Sequence, residues 1–193
     1  ADSVITVLAL GFYATPIFWV GLMLVLVFSV WLGWLPSFGM NTVGADLHGW
    51  AAVADTARYL VLPALTLGLF YMAVYARLTR ASMLEVAGQD FVRTARAKGL
   101  RERDVVVKHG LRAALTPILT IFGLDLGLLL GGAILTETTF SLPGLGQYAV
   151  QAINNNDLPK VLGVTLLGAV FIILANLVVD LLYAVVDPRV RTK

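Results

Sequence analysis

The sequence predicts an all-α, polytopic helical membrane protein, and three observations carry that prediction. Of the 193 residues 59% are hydrophobic and only 13% charged, too few charges to solvate the surface of a soluble domain of this size. From Ser3 to Ala45 no charged residue occurs, a run longer than the twenty or so residues a helix needs to cross a bilayer. Nine of the fourteen Lys and Arg residues are gathered between Arg77 and Arg112, with apolar runs on both sides. A transmembrane β-barrel would show alternating segments of about ten residues, and the sequence has none. Four apolar runs joined by connections of roughly twenty to thirty-five residues leave no room for a second domain, so residues 1–193 are read as one transmembrane domain.

The first span is expected at about residues 8–34, with Pro16 near its start as a kink point and Trp31 and Trp34 as an interfacial aromatic belt ahead of the turn LPSFG. A polar connection from Gly39 to Arg58 carries Asp46, His48, Trp50 and Asp55. The second span follows at residues 59–76, with Pro63 tolerated near its start. The basic segment, residues 77–112, leads into a third span at 113–136. TETTFSLPGLGQYAVQAINNNDLPK is the next loop, and a fourth span at 161–186 ends in DPRVRTK.

Charge sets the direction. Residues 77–112 hold nine bases and four acids; if they and the C-terminus face the cytoplasm, twelve of the fourteen bases are inside and only Arg58 and Lys160 are outside. Both visible termini are then cytoplasmic. The opening residues have no basic n-region, so they are not a signal peptide, and without an initiating Met the sequence is expected to begin partway through a longer protein.

The positive-inside rule explains the sign of the 77–112 segment but not its length. ASMLEVAGQDFVRTARAKG is rich in helix formers, with Phe91 and Ala95 spaced i, i+4 and Arg93 and Arg96 spaced i, i+3. Gly99 stands where a left-handed residue ends a helix, and a second helix is expected from Glu102 or Asp104 towards the third span. A helix, a glycine stop and another helix make a firm projection suited to docking, with small residues at Ala95 and Ala97. The bland alternative is an amphipathic surface segment lying on anionic membrane lipid.

RTARAKGL, KHGLRAALTP, GGAILTETTFSLPGLGQYAVQAI and NLVVDLLYAVVDPRVR, in that order, resemble the transmembrane permease subunit of bacterial ATP-binding cassette importers of the dipeptide and oligopeptide family, and the opening span is similar too. The resemblance covers nearly the whole chain. It implies a six-helix permease fold of which four spans are visible, the missing part being N-terminal. It also implies a coupling segment, usually written as EAA, three residues, G, nine residues, I, one residue, LP. Aligned on Gly99, Ala95 and Leu111 match, while Arg93, Thr94, His109 and Arg112 depart from that pattern, so the motif's acidic residue is not carried over. By resemblance Phe91, Arg93, Ala95, Arg96, Ala97, Gly99 and Leu100 form the helix that sits in a groove of an ATPase subunit. Implied partners are a second homologous permease, two cassette ATPases and an extracytoplasmic substrate-binding protein in the bacterial inner membrane. Nucleic acid is not expected as a partner.

No GxxxxGK[ST] is present, so no phosphate cradle is expected in this chain; no cofactor is expected on it, and ATP and Mg²⁺ belong to the implied ATPases. With no cysteine, thiolate nucleophiles and Cys-ligated metals are excluded, and no metal site is expected. Asp125, mid-span in FGLDLGLLL, must face protein or water because lipid exposure costs several kcal/mol. It is a pathway or gate candidate with Glu137, Phe140, Pro143 and Gly144; the residues around Pro143, Gly144 and Gly146 read as a tight turn on the external side. Asn176 and Asp180 share a helical face and suit interhelical hydrogen bonding.

Two other classes compete. An ion-driven secondary transporter or channel would use Asp125 as its coupling group. An intramembrane hydrolase would need a nucleophile and base at one depth, yet His48 and His109 fall on opposite sides and Asp125 and Asp180 read as lying at different depths.

Overall fold

A computed structural model describes residues 15–186. Among these the regular structure is entirely helical: α1 (Ile17–Leu24), continued by a π-helical stretch Val25–Trp31; α2 (Trp50–Ala87); α3 (Asp90–Ala97); α4 (Glu102–Asp104), continued by a second π-helical stretch Val105–Leu111; α5 (Arg112–Gly131); α6 (Ile134–Phe140); α7 (Leu145–Asn154); and α8 (Leu158–Val186). Two compact units divide the chain. One combines Ala1–Ala73 with Leu129–Ala169, the other Val74–Leu128 with Val170–Lys193.

Among the described residues two helices are long and apolar enough to cross a membrane, α2 and the Leu158–Leu181 part of α8; a bent pair, Glu102–Leu115 with Pro117–Gly131, makes a third. Several expected boundaries are corrected. The described part of the first span is the shorter apolar helix Ile17–Trp31, and residues 8–14 lie outside the described residues. Pro16 does not kink that helix but precedes it, its carbonyl accepting the N–H groups of Trp19 and Val20. Pro lacks an N–H, so at a helix start its missing donor is no loss.

Span two is the middle of a much longer helix. α2 has 38 residues, about 57 Å at 1.5 Å per residue against a hydrocarbon core of about 30 Å. The polar connection therefore ends at Gly49 rather than Arg58, and the first part of the basic segment, to Ala87, continues the same rod. No breaker separates Arg77 from the span, and Ala, Arg, Leu and Met all favour helix, so propagation is cheaper than termination.

The third span ends at Gly131, not Thr136, because Gly132 takes φ +122°. Within it the axis bends by 44° at Pro117, whose ring displaces the carbonyl four residues back. The expected loop 137–160 is mostly two helices, α6 and α7, and α8 begins at Leu158 rather than 161.

In the second unit α5 packs on α8 through glycines four residues apart. A Cβ on Gly123 would lie 2.6 Å from Val179 Cγ2, and one on Gly127 2.9 Å from the Ile172 Cα, so only a bare backbone lets the helices approach this closely. In the first unit, buried Leu62 and Phe140 form the core with Val25.

Candidate functional site

α3 and its surroundings build the projection that the sequence suggested. A break at Gly88–Gln89 separates it from α2, and the Gln89 carbonyl, in extended backbone, accepts the N–H groups of Val92 and Arg93. Two of its side chains pin it: Val92 and Ala95 are buried together with Val86, Val105 and Ala114. The spacing that faces the core is thus Val92 with Ala95, i, i+3, not Phe91 with Ala95. Phe91, beside that face, is 41% exposed. Val92 escaped the sequence reading, although its β-branched side chain three residues before a small Ala was the available signal.

The C-terminus of α3 closes as a Schellman motif. Gly99 adopts φ +74°, its N–H bonds to the Arg96 carbonyl at 2.9 Å, and the Leu100 N–H reaches the Ala95 carbonyl at 3.4 Å. A side chain at that φ would crowd its own carbonyl, which is why glycine stands there. Arg96 then reaches across the turn. Its Nε and Nη2 donate to the two carboxylate oxygens of Glu102 at 3.2 and 2.8 Å, a two-pronged bond tying α3 to α4. That hydrogen bond, helped by the attraction of opposite charges, holds the Glu102 carboxyl below its ordinary range and raises the Arg96 guanidinium. Arg93, Ala97 and Leu100 are exposed, Arg93 beside Asp90 at 3.5 Å. Of the expected docking residues only Ala95 faces inward; Phe91, Arg93, Arg96, Ala97, Gly99 and Leu100 all present surface.

A second constellation surrounds Glu137. Its carboxylate accepts the Ala133 N–H at 2.9 Å and the Gln147 N–H at 2.9 Å, one donor ahead of α6 and one in the first turn of α7. Two helix starts with unsatisfied N–H groups are so joined by one acid. Gly144 and Gly146 make room: a Cβ on Gly144 would collide with the Glu137 carboxyl, and one on Gly146 would lie 2.7 Å from the Ile134 Cα. Ser141, not a glycine, takes the left-handed turn at φ +53°. Phe140 is 1% exposed, and its carbonyl accepts the Gly39 N–H at 2.8 Å. Pro143 is exposed on the turn. Glu137, Gly144 and Phe140 are therefore brought together as a brace, with Phe140 in the core. Gln147 was not singled out by its sequence, since any residue supplies an N–H.

Asp125 is half-buried, and Tyr75 donates its hydroxyl to the Asp125 Oδ2 at 2.7 Å, with Phe122 edge-on to the Tyr75 ring. Asn176 is half-buried and Asp180 exposed on α8. The Gly123–Val179 contact puts Asp125 and Asp180 within about one helical turn of each other in depth, closer than their sequence positions suggested. Of the pathway candidates, Asp125 belongs to the second unit and Glu137, Phe140, Pro143 and Gly144 to the first. Among the described residues no group of three or more His, Cys, Asp or Glu side chains is arranged to hold a metal.

Known proteins are similar to this chain in sequence. The di/tripeptide transport system permease protein DppB of Pseudomonas aeruginosa (strain UCBPP-PA14) is 46% identical over 206 residues, covering 98% of this chain and 61% of that protein. The oligopeptide transport system permease protein AppB of Bacillus subtilis (strain 168) is 44% identical over 178 residues, covering 92% and 55%. The dipeptide transport system permease protein DppB of Escherichia coli (strain K12) is 46% identical over 203 residues, covering 96% and 60%. The chain thus spans about three fifths of the length of the curated relatives it matches. The family model described as binding-protein-dependent transport system inner membrane component matches residues 1–192. An all-helical chain with apolar spanning helices, matched almost end to end by that model, belongs to the binding-protein-dependent transport system inner membrane component family and is a multi-pass inner-membrane protein.

Proposed function

We propose that the protein is the transmembrane permease subunit of an ATP-driven peptide importer, forming half of the translocation pathway beside a second, homologous permease. The carrying observation is the α3 projection: a helix pinned by Val92 and Ala95, stopped by Gly99 at φ +74°, and presenting Phe91, Arg93, Ala97 and Leu100 outward. The chain's own chemistry there is mechanical. A rigid, capped helix with an exposed apolar and basic face receives a push from a partner and passes it through Val105 and Ala114 to the start of α5.

Two cytoplasmic cassette ATPases, which hold ATP and Mg²⁺, supply that push, and an extracytoplasmic binding protein delivers the substrate. Closure of the ATPase pair draws the α3 helices together and opens the spans outward; hydrolysis resets them. Covalent chemistry on the substrate is not part of this role. The basic segment and both visible termini face the cytoplasm, as the distribution of Lys and Arg supports. Peptides are the substrate class suggested by the relatives' names.

The test is purification of the tagged full-length protein from its native membranes in mild detergent, with co-purifying proteins identified and counted. Two Walker-motif ATPases and one homologous permease are expected. Recovery of the protein alone or as a homo-oligomer would sink the reading.

A further inference from the structure

The turn joining α3 to α4 and the start of α4 carry three cations with no acidic partner among the described residues. Residues 77–112 contain four acids, Glu85, Asp90, Glu102 and Asp104. Three are engaged: Asp90 with Arg93, Glu102 with Arg96 at 2.8 Å, and Asp104 with Lys108 at 3.2 Å. Lys98, Arg101 and Arg103 are exposed, sit at or next to the Gly99 turn, and join no ion pair among the described residues. Among them Leu100 is 43% exposed, and two turns back along α3 Phe91 is 41% exposed.

Their backbone is held before any partner arrives. Gly99 sets the turn, and the Arg96–Glu102 bond clamps its two sides, so meeting a partner costs only side-chain ordering. Apolar anchors beside an ordered charged rim are the anatomy of a protein interface. A membrane surface fits less well. Glu102 and Asp104, each already paired with a cation, alternate with Arg101 and Arg103, and a fluid headgroup layer offers no fixed register to such an array, whereas a protein surface can place its charges to match.

We propose that Lys98, Arg101 and Arg103 form an electrostatic rim that meets carboxylates on the cassette ATPase, around apolar anchors at Phe91 and Leu100. The inference rests on the docking role given above and adds the chemistry of the partner's surface: its groove is edged with Asp and Glu. The rim speeds encounter and sets register, and its contribution fades as salt screens it.

The experiment uses the full-length transporter in lipid nanodiscs and the ATPase that co-purifies with it. The dissociation constant is measured from about 50 to about 300 mM salt for the wild type, K98E/R101E/R103E and K98Q/R101Q/R103Q, a range over which exposed charges become strongly screened. The reversal variant is expected to bind about tenfold more weakly at low salt, with a flattened salt dependence, and the neutral variant to fall between. Nanodiscs with and without phosphatidylglycerol should give the same result. Should the reversal variant melt early, the neutral variant carries the comparison.

Unchanged affinity and salt slope in both variants, with wild type still bound, would overturn the rim and leave docking standing. A loss confined to nanodiscs containing phosphatidylglycerol would assign the cations to lipid instead. Failure of the wild type to bind any ATPase would remove the docking role itself.

Discussion

Tyr75 donates its hydroxyl to Asp125 at 2.7 Å across 50 positions of sequence, linking α2 to α5. An acid in an apolar helix that accepts such a bond has a structural partner, which separates two transport mechanisms experimentally. In Asp125→Asn the amide oxygen still accepts from Tyr75. ATP-driven uptake in proteoliposomes should therefore fall by no more than about threefold, the scale of a neutral hydrogen bond replacing a charge-assisted one. An ion-gradient mechanism through Asp125 would instead lose all transport. Tyr75→Phe should lower stability by about 1–2 kcal/mol.

Gly99 is the most sensitive single position of the projection. At φ +74° a β-branched residue costs about 1–2 kcal/mol and unwinds the Schellman turn. Gly99→Val should insert normally, as judged by membrane yield, yet lose most uptake. Gly99→Asn should retain much more, because Asn tolerates left-handed backbone. Equal uptake in wild type and Gly99→Val would count against a mechanical role for the turn.

Glu137 holds α6 and α7 together through two backbone N–H groups. Glu137→Ala leaves both donors without their acceptor, at about 1.5–3 kcal/mol for each bond to a charged group, partly recovered by water. Limited proteolysis of Glu137→Ala should become faster at residues 141–145, with Glu137→Gln intermediate because its amide keeps one acceptor oxygen. A cleavage pattern identical to wild type would show that the brace is dispensable.

Gly123 and Gly127 permit the close α5–α8 contact. Gly123→Leu forces a side chain into Val179 and should cost about 1–3 kcal/mol, read as a lower melting temperature in detergent. Gly163→Leu is the control, since a Cβ there meets nothing within 4 Å.

The Arg96–Glu102 clamp is sensitive to acid. Its carboxyl is held below the ordinary value, so its contribution is present above that value and lost as pH falls through the depressed one. Hydrogen exchange at residues 98–101 should therefore stay constant from neutral pH into mildly acidic conditions, after correction for intrinsic rates, and rise only on stronger acidification. Glu102→Gln should show the raised exchange at neutral pH.

Much of this molecule was legible in its sequence, for reasons of range. Hydropathy is summed over neighbours, so the membrane class followed from uncharged runs such as Ser3 to Ala45. The helix stop at Gly99 is a property of one residue's backbone, which the structure bears out at φ +74°. Element ends were less legible. Arg77 and Arg80 looked like the end of a span, yet an α-helix passes from apolar to polar surroundings without changing its backbone bonds, and α2 runs on to Ala87.

What only the tertiary structure decided were partnerships between distant residues. Asp125 was visible as an anomaly, but its bond to Tyr75 depends on how α2 and α5 are placed. Glu137 read as a gate candidate, and its acceptance of the Ala133 and Gln147 N–H groups appears only once α6 and α7 fold back on one another. Gly123 carries no hydropathy signal at all; its meaning lies in Val179, 56 positions away in the chain. Solvent preference is carried by each residue alone and survives in the sequence, whereas a hydrogen bond or a close packing contact belongs to two residues, and only the fold brings both to the same place.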